Sequence, residues 1–200
     1  LRDLDAELTS SGGDRLKLAG HLDDVWQGTG LDGTLTLKLD STGDVQQLLP
    51  ADWRVLDRIE ASAHVTGSIA APVFSDLSAD IGGPGHSDLQ LAGMLKLTRA
   101  KDRIELQGFD LSSTFAVPNP SAFSDLLGFD PAALGAVQGQ ARLSLADRKL
   151  EITALKVGAS TFGGLSVEGQ GLIGMLAADH VLQLAPQLSL SATMTESAPL

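Results

Sequence analysis

The 200-residue chain contains no cysteine and no tyrosine, and Phe and Trp together make up only 4% of it. Without cysteine there are no disulfides and no thiolate metal sites, and the chain carries no redox address. Aromatic scarcity argues against an outer-membrane barrel, whose strands carry aromatic girdles at both membrane interfaces. Cations are also few: 14 Lys and Arg against 25 Asp and Glu give a formal charge of −11. Phosphate binding needs clustered Lys and Arg, so nucleic acid is not an expected partner. The same balance disfavours adsorption of the polar surface to anionic headgroups. No run of about 18 apolar residues is present to form a spanning helix. The chain opens on Leu1-Arg2-Asp3, in mid-repeat, and is expected to be an internal piece of a longer protein.

What the chain does have is aliphatic weight and self-similarity. Hydrophobic residues make up 43% and charged residues 20%, a globular composition whose apolar part is Leu, Val, Ile and Ala. Residues 1–22 and 74–95 superpose without a gap at an offset of 73, with identities at Asp3, Leu4, Ala6, Gly12, Leu16, Leu18, Ala19, Gly20 and Leu22. A weaker third copy places Leu150, Val157, Leu165, Val167 and Gly169 where Leu1, Leu8, Leu16, Leu18 and Gly20 fell. Between copies, residues 30–67 match 108–145, sharing Gly30/Gly108, Asp32/Asp110, Leu48/Leu126, Leu49/Leu127, Asp52/Asp130 and Leu56/Leu134. One continuous domain over 1–200 is expected, with repeats near 1–73, 74–149 and a partial 150–200. Such a unit builds an extended surface by stacking.

Period-two alternation dominates each copy. Leu16, Leu18, Gly20 and Leu22, then Leu35, Leu37 and Leu39, then Leu89, Leu91, Gly93, Leu95 and Leu97, then Val137, Gly139, Ala141, Leu143 and Leu145 put one apolar face on each strand. Lys17, Thr36, Lys38, Gln90, Lys96, Gln138, Gln140 and Arg142 occupy the opposite positions. Turn chemistry at Ser11-Gly12-Gly13-Asp14, Gly82-Gly83-Pro84-Gly85, Ala146-Asp147-Arg148 and Gly163-Gly164 predicts short antiparallel hairpins. Helical patterning is confined to two crossings, from Asp44 as N-cap toward Leu56 and from Ser121 toward Leu134. Between them four strands are predicted, near 59–69, 74–81, 87–97 and 103–117.

The expected fold is therefore all-β with two short helices: repeating antiparallel strands in an elongated, curled sheet, with a β-sandwich as the alternative. About twelve strands, ~4.8 Å apart and ~25 Å long, give a face of order 1,500 Å². Two helices of two or three turns cannot cover it, and soluble proteins rarely leave such a face open. The sheet must curl, pair with another, or hold a ligand.

The pattern Leu-x-Ala-x-Ile-(x)7-Leu-x-Leu-x-Gly-x-Leu over Leu77 to Leu95, followed by strands, a short Leu-Leu helix and another alternating strand, resembles the AsmA-like family of bacterial envelope proteins, to which TamB belongs. The resemblance covers essentially the whole chain and rests on a pattern of Leu, Gly and Asp. It implies a repeating, taco-like β-groove with an aliphatic interior, in a periplasmic protein anchored in the inner membrane outside this segment and implicated in phospholipid transport to the outer membrane. The residues themselves agree: an interior of Leu, Val, Ile and Ala binds acyl chains by area and shape, at roughly 0.8 kcal/mol per buried methylene. The expected groove lining is Leu16, Leu18, Leu22, Leu35, Leu37, Leu39, Leu89, Leu91, Leu95, Leu97, Leu143, Leu165 and Val167.

Chemical signals are weak beside that pattern. Gly28-Thr29-Gly30-Leu31-Asp32-Gly33 has dinucleotide-loop spacing but leads into a strand and not a helix, so no helix N-terminus receives a pyrophosphate. His21, His64, His86 and His180 lack metal-site spacing. His86-Ser87-Asp88 reads as a turn, since adjacent residues cannot adopt triad geometry by themselves. The recurrent Asp3/Asp76, Asp32/Asp110 and Asp52/Asp130 suggest capping or turn-making, and no Asp-x-Asp-x-Asp-Gly calcium loop is present. Phe115, Phe123, Phe129 and Trp53 are expected to pack the helices onto the sheet. No catalytic residue, metal or cofactor is expected. The partners expected are phospholipid acyl chains and other envelope proteins. The leading function is a segment of a periplasmic bridge-like lipid-transfer protein. The alternative is an interaction module that assists outer-membrane protein assembly by sheet-edge pairing.

Overall fold

Alternating aliphatic and hydrophilic residues, broken by Gly, Asp and Ser, can hydrogen-bond their backbone only by pairing with neighbouring strands, and the computed structural model has that form. It describes residues 2–40, 58–100, 103–124, 130–160, 165–176 and 182–194. Eleven strands make up these segments: β1 Arg2–Thr9, β2 Arg15–Asp24, β3 Thr29–Asp40, β4 Arg58–Ser68, β5 Ala71–Gly83, β6 Ser87–Ala100, β7 Arg103–Val117, β8 Val137–Ala146, β9 Lys149–Ala159, β10 Leu165–Leu176 and β11 Leu182–Met194. They form a single antiparallel sheet in strictly sequential order, an open meander whose edges are β1 and β11. The four strands expected between the crossings are β4 to β7. A sandwich of two packed sheets is not what forms among the described residues, because every described strand joins one sheet.

Local chemistry sets the hairpins. Ser68 and Ala71 pair across the two-residue β4–β5 turn, where Ser68 Oγ accepts the Ala71 N–H at 3.0 Å. Asp147 and Arg148 both have positive φ, the geometry of a type I′ turn, whose twist matches that of the flanking β8 and β9. At the β1–β2 turn, Ser10 Oγ accepts the N–H groups of Gly12 and Asp14, each at 3.2 Å. Bulges shift the register between Phe74 and Leu77 in β5, and Asp76 there takes φ 50.

The helical expectation needs correction. Residues 44–56 lie outside the described residues. In the second crossing the described residues form only two 3-10 turns, Pro120–Phe123 and Pro131–Leu134, and no α-helix. Each begins at a proline, and the second ends at Gly135 with φ 64, so punctuation at both ends leaves room for a single tight turn. Asp130 caps that turn, its side chain accepting the Ala132 N–H at 2.9 Å. The strands on either side of this segment, β7 and β8, are antiparallel neighbours in the sheet.

Candidate functional site

Strand register converts the alternation into two continuous faces. Paired residues share a face, so the row Leu8, Leu16, Leu37, Ala61, Ala79, Leu91, Ser113, Ala141, Leu155, Gly169, Leu190 runs unbroken over all eleven strands. A second row on the same face, four or five residues along each strand, is Leu4, Gly20, Gly33, Val65, Phe74, Leu95, Phe109, Leu145, Leu150, Gly174. Ser113 is the one polar member of these rows. It is buried, and its hydroxyl donates to the Ala141 carbonyl at 3.2 Å, which removes its polarity from the surface.

All thirteen residues expected to line a groove fall on this one face. Leu16, Leu18 and Leu22 come from β2, Leu35, Leu37 and Leu39 from β3, and Leu89, Leu91, Leu95 and Leu97 from β6. Leu143 comes from β8, and Leu165 and Val167 from β10. Leu22 and Leu39 are buried, Leu16 is exposed, and the other ten are half-buried. A core of Leu22, Leu31 and Val65, with Leu4, Leu35 and Phe74 packed against it, lies over β1 to β5. Toward the edges the face opens: Leu8 is 67% exposed and Leu190 60%.

The reading from alternation alone missed the contributions of Val65, Phe74, Leu77, Leu111, Leu155, Leu188 and Leu190. In β5 the cause is the bulge, which puts Phe74 and Leu77 on one face although they are three residues apart. That odd spacing within an apolar pattern is the signal in the sequence. Phe115 does not pack a helix onto the sheet: it lies on the apolar face with its ring over Gly139, where it fills the space a Cβ would take. Phe129 and Trp53 lie outside the described residues.

The opposite face is hydrophilic and internally paired. One row reads Thr9, Arg15, Lys38, Glu60, Asp80, Gln90, Thr114, Gln140, Lys156, Glu168, Ser191. Cross-strand ion pairs join Lys38 to Glu60 at 3.8 Å, Arg58 to Asp80 at 2.9 Å and Lys156 to Glu168 at 3.2 Å. Arg142 grips Asp110 through two parallel bonds, Nε to Oδ1 at 2.9 Å and Nη2 to Oδ2 at 2.7 Å, which holds the Asp110 carboxyl below the usual range. Asp88 shifts the other way, raised by desolvation and by the charge of Asp80. A depression of about 880 Å³ crosses β7 to β11 on this side, lined by residues such as Thr114, Gln140, Arg142, Lys156, Glu168 and Ser191. Its two cations already face carboxylates, so it offers no unopposed charge to an anion.

The recurrent aspartates divide by task. Asp130 caps a turn and Asp76 occupies a bulge, whereas Asp32 sits 3.1 Å from His64 Nε2 and Asp110 binds Arg142. Asp52 lies outside the described residues. His86 is in the 3-10 turn Pro84–His86, while Ser87 and Asp88 begin β6. Gly28 has φ 64 and Gly30 φ 69, at the entry to β3. No group of three or more His, Asp or Glu able to hold a metal ion occurs among the described residues. Comparison with protein families, with curated proteins and with solved structures finds no match to this chain.

Proposed function

We propose that this chain is a lipid-carrying segment of a periplasmic envelope protein, its apolar sheet face shielding phospholipid acyl chains on their way between the inner and outer membranes. The observation that carries this reading is the apolar row from Leu8 to Leu190, uninterrupted over eleven strands and with its one hydroxyl turned inward. At ~4.8 Å per strand it extends about 48 Å. Such a surface has no directional partner to offer a ligand. It rewards contact area alone, so an acyl chain has similar affinity at successive positions and can move between them. Headgroups stay at the rim. The resemblance to the AsmA-like family supports the compartment and the lipid class, and the role proposed is carriage without chemistry.

Native mass spectrometry of the purified chain, with lipid extraction, tests this. Bound phospholipid is the expected result. A lipid-free mass, together with an interior filled by the protein's own side chains, would overturn it.

One observation favours the scaffold reading: β11 is an edge of the described sheet, pairing only with β10, so one row of its backbone groups has no partner strand there, as strand addition requires. Under that reading a charge or proline placed in β11 abolishes partner binding, and under the lipid reading it leaves bound lipid unchanged.

A further inference from the structure

Two neighbouring hairpin tips on one rim of the sheet carry large apolar side chains that stand half or more in solvent. The β2–β3 turn presents Val25 at 50% exposure and Trp26 at 97%, and the β4–β5 turn presents Ile69 at 58%. Their backbone is fixed. Asp24 Oδ1 accepts the N–H groups of Trp26 at 2.9 Å and Gln27 at 3.1 Å. The Ile69 N–H donates to the Gly28 carbonyl at 2.8 Å, and the Arg99 N–H donates to the Ala70 carbonyl at 2.6 Å, so consecutive hairpins are stapled along the rim. Gly28 has φ 64, and the Ile69 side chain lies 3.3 Å from where its Cβ would be.

We propose that this tip is a membrane-contact site that seats Trp26 in the headgroup region of a zwitterionic bilayer. Area favours a bilayer over a protein: the three side chains expose roughly 400 Å², about half of the ~800 Å² per partner in a stable protein interface. Trp is the side chain that prefers the membrane–water boundary, with its ring among acyl carbons and its N–H in the wet layer. Charge selects the lipid. Asp23 and Asp24 flank the tip and the chain carries a formal charge of −11, so anionic headgroups are disfavoured. The site goes beyond the acyl-chain reading and does not depend on it.

The chain has two tryptophans, so Trp53→Phe leaves Trp26 as the only indole. Added phosphatidylcholine vesicles should shift its emission to the blue, and lipids brominated near the headgroup should quench it. Should Trp53→Phe fold poorly, the difference between the parent chain and Trp26→Ala reports the same signal. Co-sedimentation with these vesicles should fall at least tenfold in Trp26→Ala and in Ile69→Ser, with the circular dichroism of the parent retained. Absence of a shift, equal sedimentation of the variants, or binding that rises with added phosphatidylserine would overturn the proposal. So would self-association in sedimentation velocity that disappears in Trp26→Ala, which would make the tip a contact between copies. Lipid retained by Trp26→Ala in native mass spectrometry separates the two proposals: vesicle binding can fail while carriage survives, and the reverse.

Discussion

The Asp14 carboxylate accepts the backbone N–H of Asp40 at 3.0 Å, which fastens the β1–β2 turn to the last residue of β3. Asp14 is 2% exposed, and its second oxygen accepts the Ser10 hydroxyl at 3.2 Å. Asp14→Ala should cost about 1–3 kcal/mol in urea unfolding, because it removes the charged acceptor of the half-buried Asp40 N–H. Asp14→Asn, which keeps an acceptor oxygen, should cost less.

A Cβ at Gly93 would overlap the carbonyl oxygen of Asp110 in the adjacent strand, and one at Gly171 would overlap that of Gln187. Both glycines have φ near +145, and Gly20 meets the Asp32 carbonyl oxygen in the same way. Gly93→Ala and Gly171→Ala should each destabilise by about 1–3 kcal/mol, from backbone strain and strand separation together. Gly158→Ala is the control. Its Cβ would meet nothing closer than 3.7 Å, so its unfolding midpoint should stay near that of the parent.

Acid should act on the carboxylates in two opposed ways. Asp110 is held low by its hydrogen bond to Arg142, and Asp130 by the Ala132 N–H and the Ser121 hydroxyl. Folding favours their ionised forms, so that stabilisation is full above the ordinary carboxylate range and is lost as pH falls through the lower folded values. Asp88, raised by desolvation and by Asp80, contributes the reverse, a stabilisation present at low pH and lost as pH rises through its folded value. Solvent exposure keeps each effect small. Urea midpoints measured downward from about pH 5 should fall, and Asp110→Asn should flatten that fall. Asp80→Asn should weaken the opposing contribution of Asp88.

Leu91 and Leu37 lie mid-row on the apolar face and are half-buried. Leu91→Glu or Leu37→Glu should reduce co-purifying phospholipid several-fold in native mass spectra, and block transport by the full-length protein more than it disturbs folding. A variant with unchanged lipid content and normal transport would sink the carriage role.

Strands were the most legible part of this fold. Where a face alternates strictly, as in Leu35, Leu37 and Leu39, the pattern determines both strand and side, and β4 to β7 lie within a few residues of the stretches read from it. After β7, Leu126, Leu127 and Leu134 suggest a helical stripe, whereas Pro120, Pro131 and Gly135 confine the described parts of that segment to single turns. In the sequence Asp14 reads as a turn residue, since nothing in Ser-Gly-Gly-Asp distinguishes a solvated carboxylate from one that folds back onto a strand 26 residues away. The third copy shows the same limit. Superposition put Gly169 in the place of Gly20 and Gly93, whereas the close approach to the neighbouring carbonyl belongs to Gly171, on the same face two residues later. An alternating pattern is unchanged by a shift of two, so only geometry could tell them apart.

Because the strand order is strictly sequential, each interior strand is held by the strand before it and the strand after it. Mechanical load applied at one edge should therefore peel the sheet hairpin by hairpin, in a sawtooth of small events, where a closed core would give a single cooperative rupture. The closing contacts are local in sequence, which shortens the search for each pairing. Damage should stay local as well: a lesion that releases β11 ought to leave hydrogen-exchange protection in β4 and β5 intact, so the sheet can lose length without losing its fold.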